Sequence, residues 1–340
     1  MAVWSGWHAR VHRTLRSRTS PSAFGKHQLL LPKGCRILVA VSGGQDSQCL
    51  LRLLIDLQSK WGWQLQAVHC NHRWRTDAND NADFVAQVLQ RWHIPYTLET
   101  AEQPPKSEAA ARQWRYQVFE KIANQTGYTH IVTGHTASDR AETLLYNLVR
   151  GSGADGLQAL AWRRSLSDTA PDISLVRPLL DITRAETAQF CQVFNIPVWQ
   201  DTTNNDRSYA RNRLRLDVLP LLRNHFNPKL DTTLAHTAEL LAADVNYLEA
   251  EAARLAQSCI DNNAIQRRSL RTAPVALQRR VIRQFLRQHL STSPQFEHIE
   301  KVVVLLNAAN RSQSDPFPGG AIAIVKDPWI LLQDVSTGIE

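Results

Sequence analysis

No stretch of the chain approaches the roughly 18 consecutive apolar residues of a membrane-crossing helix, so no membrane span is expected. No apolar segment ending in a small-residue cleavage site opens it, so a secretory signal is not expected. Cysteine is scarce: Cys35, Cys49, Cys70, Cys191 and Cys259 lie far apart, odd in number and without a CxxC pair. That usage argues against a disulfide scaffold, a zinc site or an iron–sulfur cluster, and it suits a reducing compartment, read here as the cytoplasm. Neither a Walker A loop nor a GxGxxG dinucleotide fingerprint occurs, and no internal repeat or low-complexity segment stands out. Acids are missing from two places, the segment before Asp46 and the segment between Asp261 and Glu297.

What is present is a 340-residue chain of net charge +8, with 43% apolar and 21% charged residues, the profile of a globular protein of about two domains. Each acid-free block holds seven basic residues: Arg10, Arg13, Arg16, Arg18, Lys26, Lys33 and Arg36 in the first, Arg267, Arg268, Arg271, Arg279, Arg280, Arg283 and Arg287 in the second. The remainder of the chain is mildly acidic, so these blocks account for the whole positive excess. Clustered arginine suits a polyanionic partner, because each neutralised phosphate releases condensed counterions; two solvated helix faces are the alternative. The first block also has the composition of an organellar transit peptide. Against that, Trp4, Trp7, Val11 and Leu15 recur at three- and four-residue steps, which predicts a short helix of the folded protein.

Arg36–Val41 is a continuous apolar, β-branched run, and it leads through Ser42-Gly-Gly-Gln-Asp-Ser47 into a leucine-rich helical pattern over Cys49–Leu57. Strand signals recur at 64–69, 96–99 and 130–133, with helical stretches at 77–92, 107–126 and 138–149. This alternation predicts βαβ units and an α/β fold with a parallel sheet. Residues 163–174 read as a polar loop, and order resumes at Leu175-Val-Arg-Pro-Leu-Leu180. Beyond Pro220 the periodicity turns helical, over 230–256, 275–289 and 297–306. The expected organisation is a basic N-terminal extension over 1–33, a catalytic domain over 34–222 and a smaller, mainly helical domain over 228–340 that contacts nucleic acid.

The chemistry is concentrated in Ser42–Ser47. Its glycines let backbone N–H groups approach a ligand, its hydroxyls add donors, and the helix that follows presents unpaired N–H groups and its positive dipole end to an anion. Such a loop at the carboxyl edge of a parallel sheet is built for phosphate or pyrophosphate.

The strand–SGGQDS–helix combination resembles the PP-loop ATP pyrophosphatases, which cleave ATP between its α- and β-phosphates. Within that superfamily the chain is similar to the tRNA(Ile)-lysidine synthetase family, over about Pro32 to Leu222. The matching blocks are Val68-His-Cys-Asn-His72, Ser107-Glu-Ala-Ala-Ala-Arg-Gln-Trp-Arg-Tyr116, Gly134-His135, Asp139-Arg-Ala-Glu-Thr143, Arg150-Gly-Ser-Gly153 with Gly156-Leu157, Arg177-Pro-Leu-Leu180, Asp201-Thr-Thr-Asn204 and Arg211-Asn-Arg-Leu-Arg215. The resemblance implies an adenine-nucleotide α-hydrolase-like fold. It also implies ATP activation of C2 of the wobble cytidine in the CAU-anticodon isoleucine tRNA, followed by displacement of AMP by free L-lysine. A homodimer is consistent with the same family.

Carried over residue by residue, the resemblance assigns Ser42, Gly43, Gly44, Gln45, Asp46 and Ser47 to ATP, with Asp46 as the magnesium-linked carboxylate. His72 is assigned to the nucleotide or the reacting base, and His69 stands beside it. Arg112 becomes a nucleotide or transition-state contact on a helix with Glu108 and Arg115. Asp139 and Glu142, three apart and hence on one helix face, become the lysine site. Arg211 becomes a contact to tRNA or the activated cytidine, supported by the loop of Thr202, Thr203 and Asn204. The chain departs from the family pattern at Arg73-Trp74-Arg75, where Gly-Leu-Arg usually follows the histidine, at Thr136, where a second histidine is frequent, and at Arg140, where glutamine is. Two other readings stay open: another amidating or tRNA-modifying PP-loop enzyme, and a non-catalytic RNA-binding relative.

Overall fold

The computed structural model describes residues 4–21, 27–200 and 206–334. The elements in order are α1 (Gly6–Ser17), β1 (Thr19–Pro21), β2 (His27–Leu29), β3 (Arg36–Ala40), α2 (Gln45–Trp61), β4 (Gln64–Asn71), α3 (Ala78–Arg91), β5 (Tyr96–Thr100), α4 (Glu108–Thr126) and β6 (His130–Val132). They continue with α5 (Ala137–Val149), α6 (Ala154–Leu157), β7 (Arg163–Ser165), β8 (Ser174–Val176), α7 (Arg184–Val193), α8 (Ala210–Arg213), a π-helical turn (Leu214–Val218), α9 (Leu219–His225) and α10 (Leu230–Cys259). The C-terminal part adds β9 (Ile260–Asp261), β10 (Ala264–Gln266), α11 (Arg267–Arg271), α12 (Val275–His289), α13 (Phe296–Leu305), β11 (Ala321–Lys326) and β12 (Trp329–Asp334). Two compact units divide between Leu241 and Ala242, within the continuous helix α10.

The first unit is built on a six-stranded sheet of order β5-β4-β3-β6-β8-β7. Every pair is parallel except β7 with β8. The strand Ile37-Leu38-Val39 is wholly buried, as a central parallel strand covered on both faces must be. Strand order reverses between β3 and β6, which opens a crevice at their carboxyl ends, the ligand position of doubly wound sheets. Helix α2 fills one face of the sheet with Leu50, Leu51, Leu53, Leu54 and Leu57 and stops at Gly62, whose φ of 68° suits glycine in a left-handed cap. Helix α1 joins the same core through Val11 and Leu15, as its periodicity predicted, and the buried His8 ring stands 3.0 Å from Asp56.

The stretch 163–174, expected to be a loop, contains the edge strand β7, paired antiparallel through Arg163↔Val176 and Ser165↔Ser174. Its arginines hid it, because charge is how edge strands are protected, and it carries no apolar alternation.

The second unit has the expected helices, closed over a core that includes Ile282, Phe285, Val302 and Leu306. It also contains an antiparallel sheet of order β11-β12-β10-β9, which the helical expectation for 228–340 did not include. The second arginine block is largely spent inside this unit. Arg267 is buried and donates to the Leu306 carbonyl at 2.8 Å, and Arg268 reaches Asp327 at 3.2 Å. Arg279 pairs with Glu300 at 2.7 Å, Arg280 with Glu249 at 3.1 Å, and Arg283 with the same Glu249. In the first block Arg10 pairs with Glu186 and Arg18 with Glu239, whereas Arg13 and Arg16 form no ion pair among the described residues.

Candidate active site

The loop after β3 is held open by its own side chains. Ser47 Oγ donates to the Gly44 carbonyl at 2.8 Å and accepts from the Ser42 backbone N–H at 3.2 Å. Gly43 has a φ of 91°, and a Cβ there would lie 2.6 Å from Asn81 Oδ1, so the turn and the close approach both require glycine. Gly44 is the N-cap of α2 without a side-chain cap, leaving the first-turn N–H groups of α2 available to an anion. A second close approach lies behind the loop, where a Cβ on Gly134 would stand 2.8 Å from the Asp46 carbonyl oxygen. The end of β6 thus abuts the start of α2.

That abutment brings together the carboxylates of Asp46 on α2 and Asp139 and Glu142 on α5. Arg184, the first residue of α7, joins all three: Nε is 3.1 Å from Asp46 Oδ2, Nη2 is 2.7 Å from Asp139 Oδ1 and Nη1 is 3.4 Å from Glu142 Oε1. Thr187, one turn on, donates its hydroxyl to the other Asp46 oxygen. Gln45 turns the same way, its amide donating to the Arg184 carbonyl at 2.8 Å and to Thr187 Oγ1 at 3.1 Å. Asp139 is oriented by α5 itself: Oδ2 accepts from the Thr136 backbone N–H at 2.8 Å and from its hydroxyl at 2.7 Å, a reciprocal capping box.

The shared environment drives the carboxylates apart. Burial pushes Glu142 up to about 7, against the pull of Arg184. Burial also raises Asp46, with Arg184 again opposing. For Asp139 burial is outweighed by Arg184, His135 and the Thr136 hydrogen bonds, and its pKa falls. Arg184 is held more firmly protonated than usual, since Asp139, Asp46 and Glu142 together overcome its own burial. Neighbouring carboxyls with opposed shifts are the pattern of a site where one group stays ionised and the other exchanges a proton near neutrality.

Among the described residues, no three His, Cys, Asp or Glu side chains are grouped to hold a metal ion. Asp46 nevertheless fits magnesium bound to a nucleotide, which needs only one or two protein carboxylates and takes its other ligands from phosphates and water.

The remaining expected residues are distributed around this cluster. Arg211 lies over α5, donating to Thr143 Oγ1 at 2.9 Å and lowering the Glu142 pKa through its charge. Arg112 is exposed on α4, 5.3 Å over the Tyr116 ring, and its charge reaches His135. His69 touches the strand that feeds the loop, its Nδ1 lying 2.8 Å from the Val41 carbonyl oxygen. His72 instead sits between Trp74 and Trp114, and burial with the nearby Arg115 lowers it to about 4. Thr202, Thr203 and Asn204 lie outside the described residues.

Two departures from the family pattern now have structural roles. Thr136 is the N-cap of α5, and Arg140 is buried and turned away from the carboxylates to Glu239 at 2.7 Å, a partner it shares with the Trp162 indole N–H. The sequence reasoning missed Arg184 and Thr187. The available signal was Thr183-Arg-Ala-Glu186, a capping box that starts a helix three residues after Leu180.

The chain matches a family model described as a PP-loop domain over residues 18–222 and a second, described as a TilS substrate binding domain, over 266–324. A tRNA(Ile)-lysidine synthase of Nostoc sp. is 52% identical, covering 98% of each chain. The protein of that name from Thermosynechococcus vestitus is also 52% identical, over 97% of this chain and 92% of its own. A chloroplastic tRNA(Ile)-lysidine synthase from the alga Staurastrum punctulatum is 35% identical, over 82% and 70%. Among solved structures, a U34-tRNA thiolase of Methanococcus maripaludis shares the fold, with a TM-score of 0.55 at 16% identity, over 69% of this chain and 77% of that one.

Proposed function

The chain belongs to the tRNA(Ile)-lysidine synthase family, and from that premise we propose how its residues divide the labour of a two-step, ATP-consuming ligation. The enzyme joins lysine to C2 of the wobble cytidine in the CAU-anticodon isoleucine tRNA, converting a tRNA that would read AUG into one that reads AUA. In the first step the cytidine O2 attacks the α-phosphate of ATP and pyrophosphate leaves. Ser42, Gly43, Gly44 and Ser47, with the first turn of α2, receive the phosphates. Asp46 would hold magnesium, which supplies neutralisation of phosphate charge when bound. Arg112 and Arg211 balance charge on the nucleotide and the activated base.

In the second step the ε-amine of lysine attacks C2, and AMP departs with the former O2. Lysine arrives as an ammonium and attacks only as the neutral amine, so a proton must leave. Asp139, held ionised, binds the ammonium; Glu142, with its pKa near 7, takes the proton. Free L-lysine, ATP and the isoleucine tRNA are therefore the co-substrates. Arg13 and Arg16, which form no ion pair among the described residues, are the better candidates for a polyanion contact than the internally paired second block. The reading places the enzyme in the cytoplasm or an organelle of similar redox state; no described helix is long and apolar enough to cross a membrane. A homodimer remains part of the reading by family resemblance alone.

The observation that carries this reading is the Arg184 junction, which ties the phosphate-loop carboxylate to the two carboxylates of α5. A thiol-transfer reading has less support, because burial pushes Cys70 up to about 12 and leaves it a poor nucleophile. The test is to incubate enzyme, ATP, lysine and the CAU-anticodon isoleucine tRNA, digest the tRNA and weigh its nucleosides. A cytidine–lysine condensation product is expected, and its absence overturns the reading. Asp46→Asn should lower AMP formation by about 100-fold or more while tRNA retention stays within about twofold.

A further inference from the structure

The segment after β4, where the chain departs from its family, builds an aromatic step that the reaction above does not use. Trp74 is 43% exposed. Its ring stacks on His72 with centroids 5.6 Å apart and planes 29° from parallel, and His72 meets Trp114 of α4 edge-on at 4.9 Å. The indole is pinned at its rim, with Nε1 donating to the Pro105 carbonyl. Arg73 anchors the turn: its φ is 59°, its backbone N–H donates to Asn71 Oδ1 at 2.9 Å and its guanidinium to the Glu102 carbonyl at 3.1 Å. A large apolar face is thus fixed in place and left to water.

Cations flank the step. Arg115, next to Trp114 in the sequence and near enough to act on His72, is exposed and forms no ion pair among the described residues; Arg112 is exposed one turn earlier on α4. Arg112 and Arg164 lie over the ring of Tyr116 on the same helix at 5.3 and 5.2 Å, adding positive charge along α4. Aromatic faces beside unpaired arginines are how proteins hold single-stranded RNA: bases stack on rings while phosphates meet guanidinium groups. The phosphates of ATP have their own receptor in the Ser42–Ser47 loop, whereas this step faces solvent, from which a polymer arrives.

We propose that Trp74, backed by His72 and Trp114 and flanked by Arg115, is a stacking step for an unpaired base of the tRNA anticodon loop. The proposal rests on the reading of the chain as a tRNA-modifying enzyme. It adds a site that takes a neighbouring loop nucleotide and so fixes the strand on which the reacting cytidine is presented.

The test is binding of an anticodon stem–loop RNA carrying 2-aminopurine at one unpaired position at a time, by fluorescence, with the full chain and without ATP or lysine. Trp74→Ala should weaken binding about tenfold and relieve quenching at one position, while Trp74→Phe stays within about twofold of wild type. A blunt duplex of the same stem, without unpaired nucleotides, should bind wild type and Trp74→Ala alike. The KM values for ATP and lysine should not move. Unchanged stem–loop affinity in a Trp74→Ala protein that melts like wild type overturns the proposal; so does a loss confined to the KM for ATP, which would give the ring to adenine. Should Trp74→Ala fail to fold, Arg115→Gln and Trp74→Phe decide, the first expected to weaken the stem–loop several-fold and its indifference counting against the site. Because this is RNA binding without turnover, absence of a lysidine product from wild type would sink the reaction assignment and leave this result standing.

Discussion

Arg184 donates through Nη2 to Asp139 Oδ1 at 2.7 Å while its Nε holds Asp46 Oδ2 at 3.1 Å. One guanidinium on the first residue of α7 thereby links α2, which begins in the phosphate loop, to α5, which carries the other two carboxylates. Without it, three partly buried acids would lose the one guanidinium that pairs with each of them among the described residues.

Arg184→Gln should therefore weaken both fold and site. Removing the shared partner of a partly buried ion network costs about 2 kcal/mol after allowance for solvent, which lowers Tm by about 5 °C in a protein this size. Arg184→Lys, keeping the charge but losing the fork, should recover part of the Tm and little of the activity. A thermal melt beside a turnover assay checks both. An Arg184→Gln protein with unchanged Tm and activity would reduce the junction to a surface contact.

The pH dependence follows from Glu142. Its folded pKa of about 7 exceeds the ordinary 4.5, so the native state keeps a proton that the unfolded chain has released. Stability from this group is accordingly lost as pH rises from about 4.5 to 7 and is flat above. Glu142→Gln removes that slope, and the variant should gain on the order of 2 kcal/mol relative to wild type across the window. Lysine transfer should run the other way, rising with pH toward about 7 as the carboxylate forms and then levelling. In Glu142→Gln the rate should fall about 100-fold and lose this rise. Single-turnover rates and melts at matched pH values separate the two effects.

The arginine blocks should differ in their response to salt. Replacing Arg13 and Arg16 by alanine should reduce the slope of log affinity for tRNA against log salt by about 2, since each phosphate contact contributes about 0.9. Replacing Arg279 and Arg283, which face Glu300 and Glu249, should move that slope less and lower Tm instead. The reverse ranking would return the tRNA contact to the second block.

Much of the catalytic unit was legible because its signals are local. Arg36–Ala40 is an uninterrupted apolar run, SGGQDS has one backbone use, and a spacing of three necessarily places Asp139 and Glu142 on one helix face. Val11 and Leu15 gave α1 its inward face by the same logic. What escaped depends on pairing across distance. The edge strand β7 is defined by its partner β8 rather than by its own residues, and β11 with β12 needed the register Ala321↔Asp334 to be recognised. Arg184 lies 138 positions from Asp46 and has no chemistry in its own segment; only the fold supplies its three partners. The ion pairs of the second arginine block were invisible for the same reason, because composition counts charges without locating their neighbours.

The capping box of α5 has a further consequence for how this site is dissected. Asp139 divides its two oxygens: Oδ2 terminates the helix through Thr136, and Oδ1 accepts from Arg184. An alanine at 139 would fray the first turn of α5 and displace Glu142 with it, so its phenotype would overstate the part Asp139 plays in chemistry. Asparagine is the more discriminating replacement, since its single carbonyl oxygen can keep the cap while the amide presents a donor where an acceptor stood. Asparagine compared with wild type then reports on Oδ1, and alanine compared with asparagine reports on the capping oxygen.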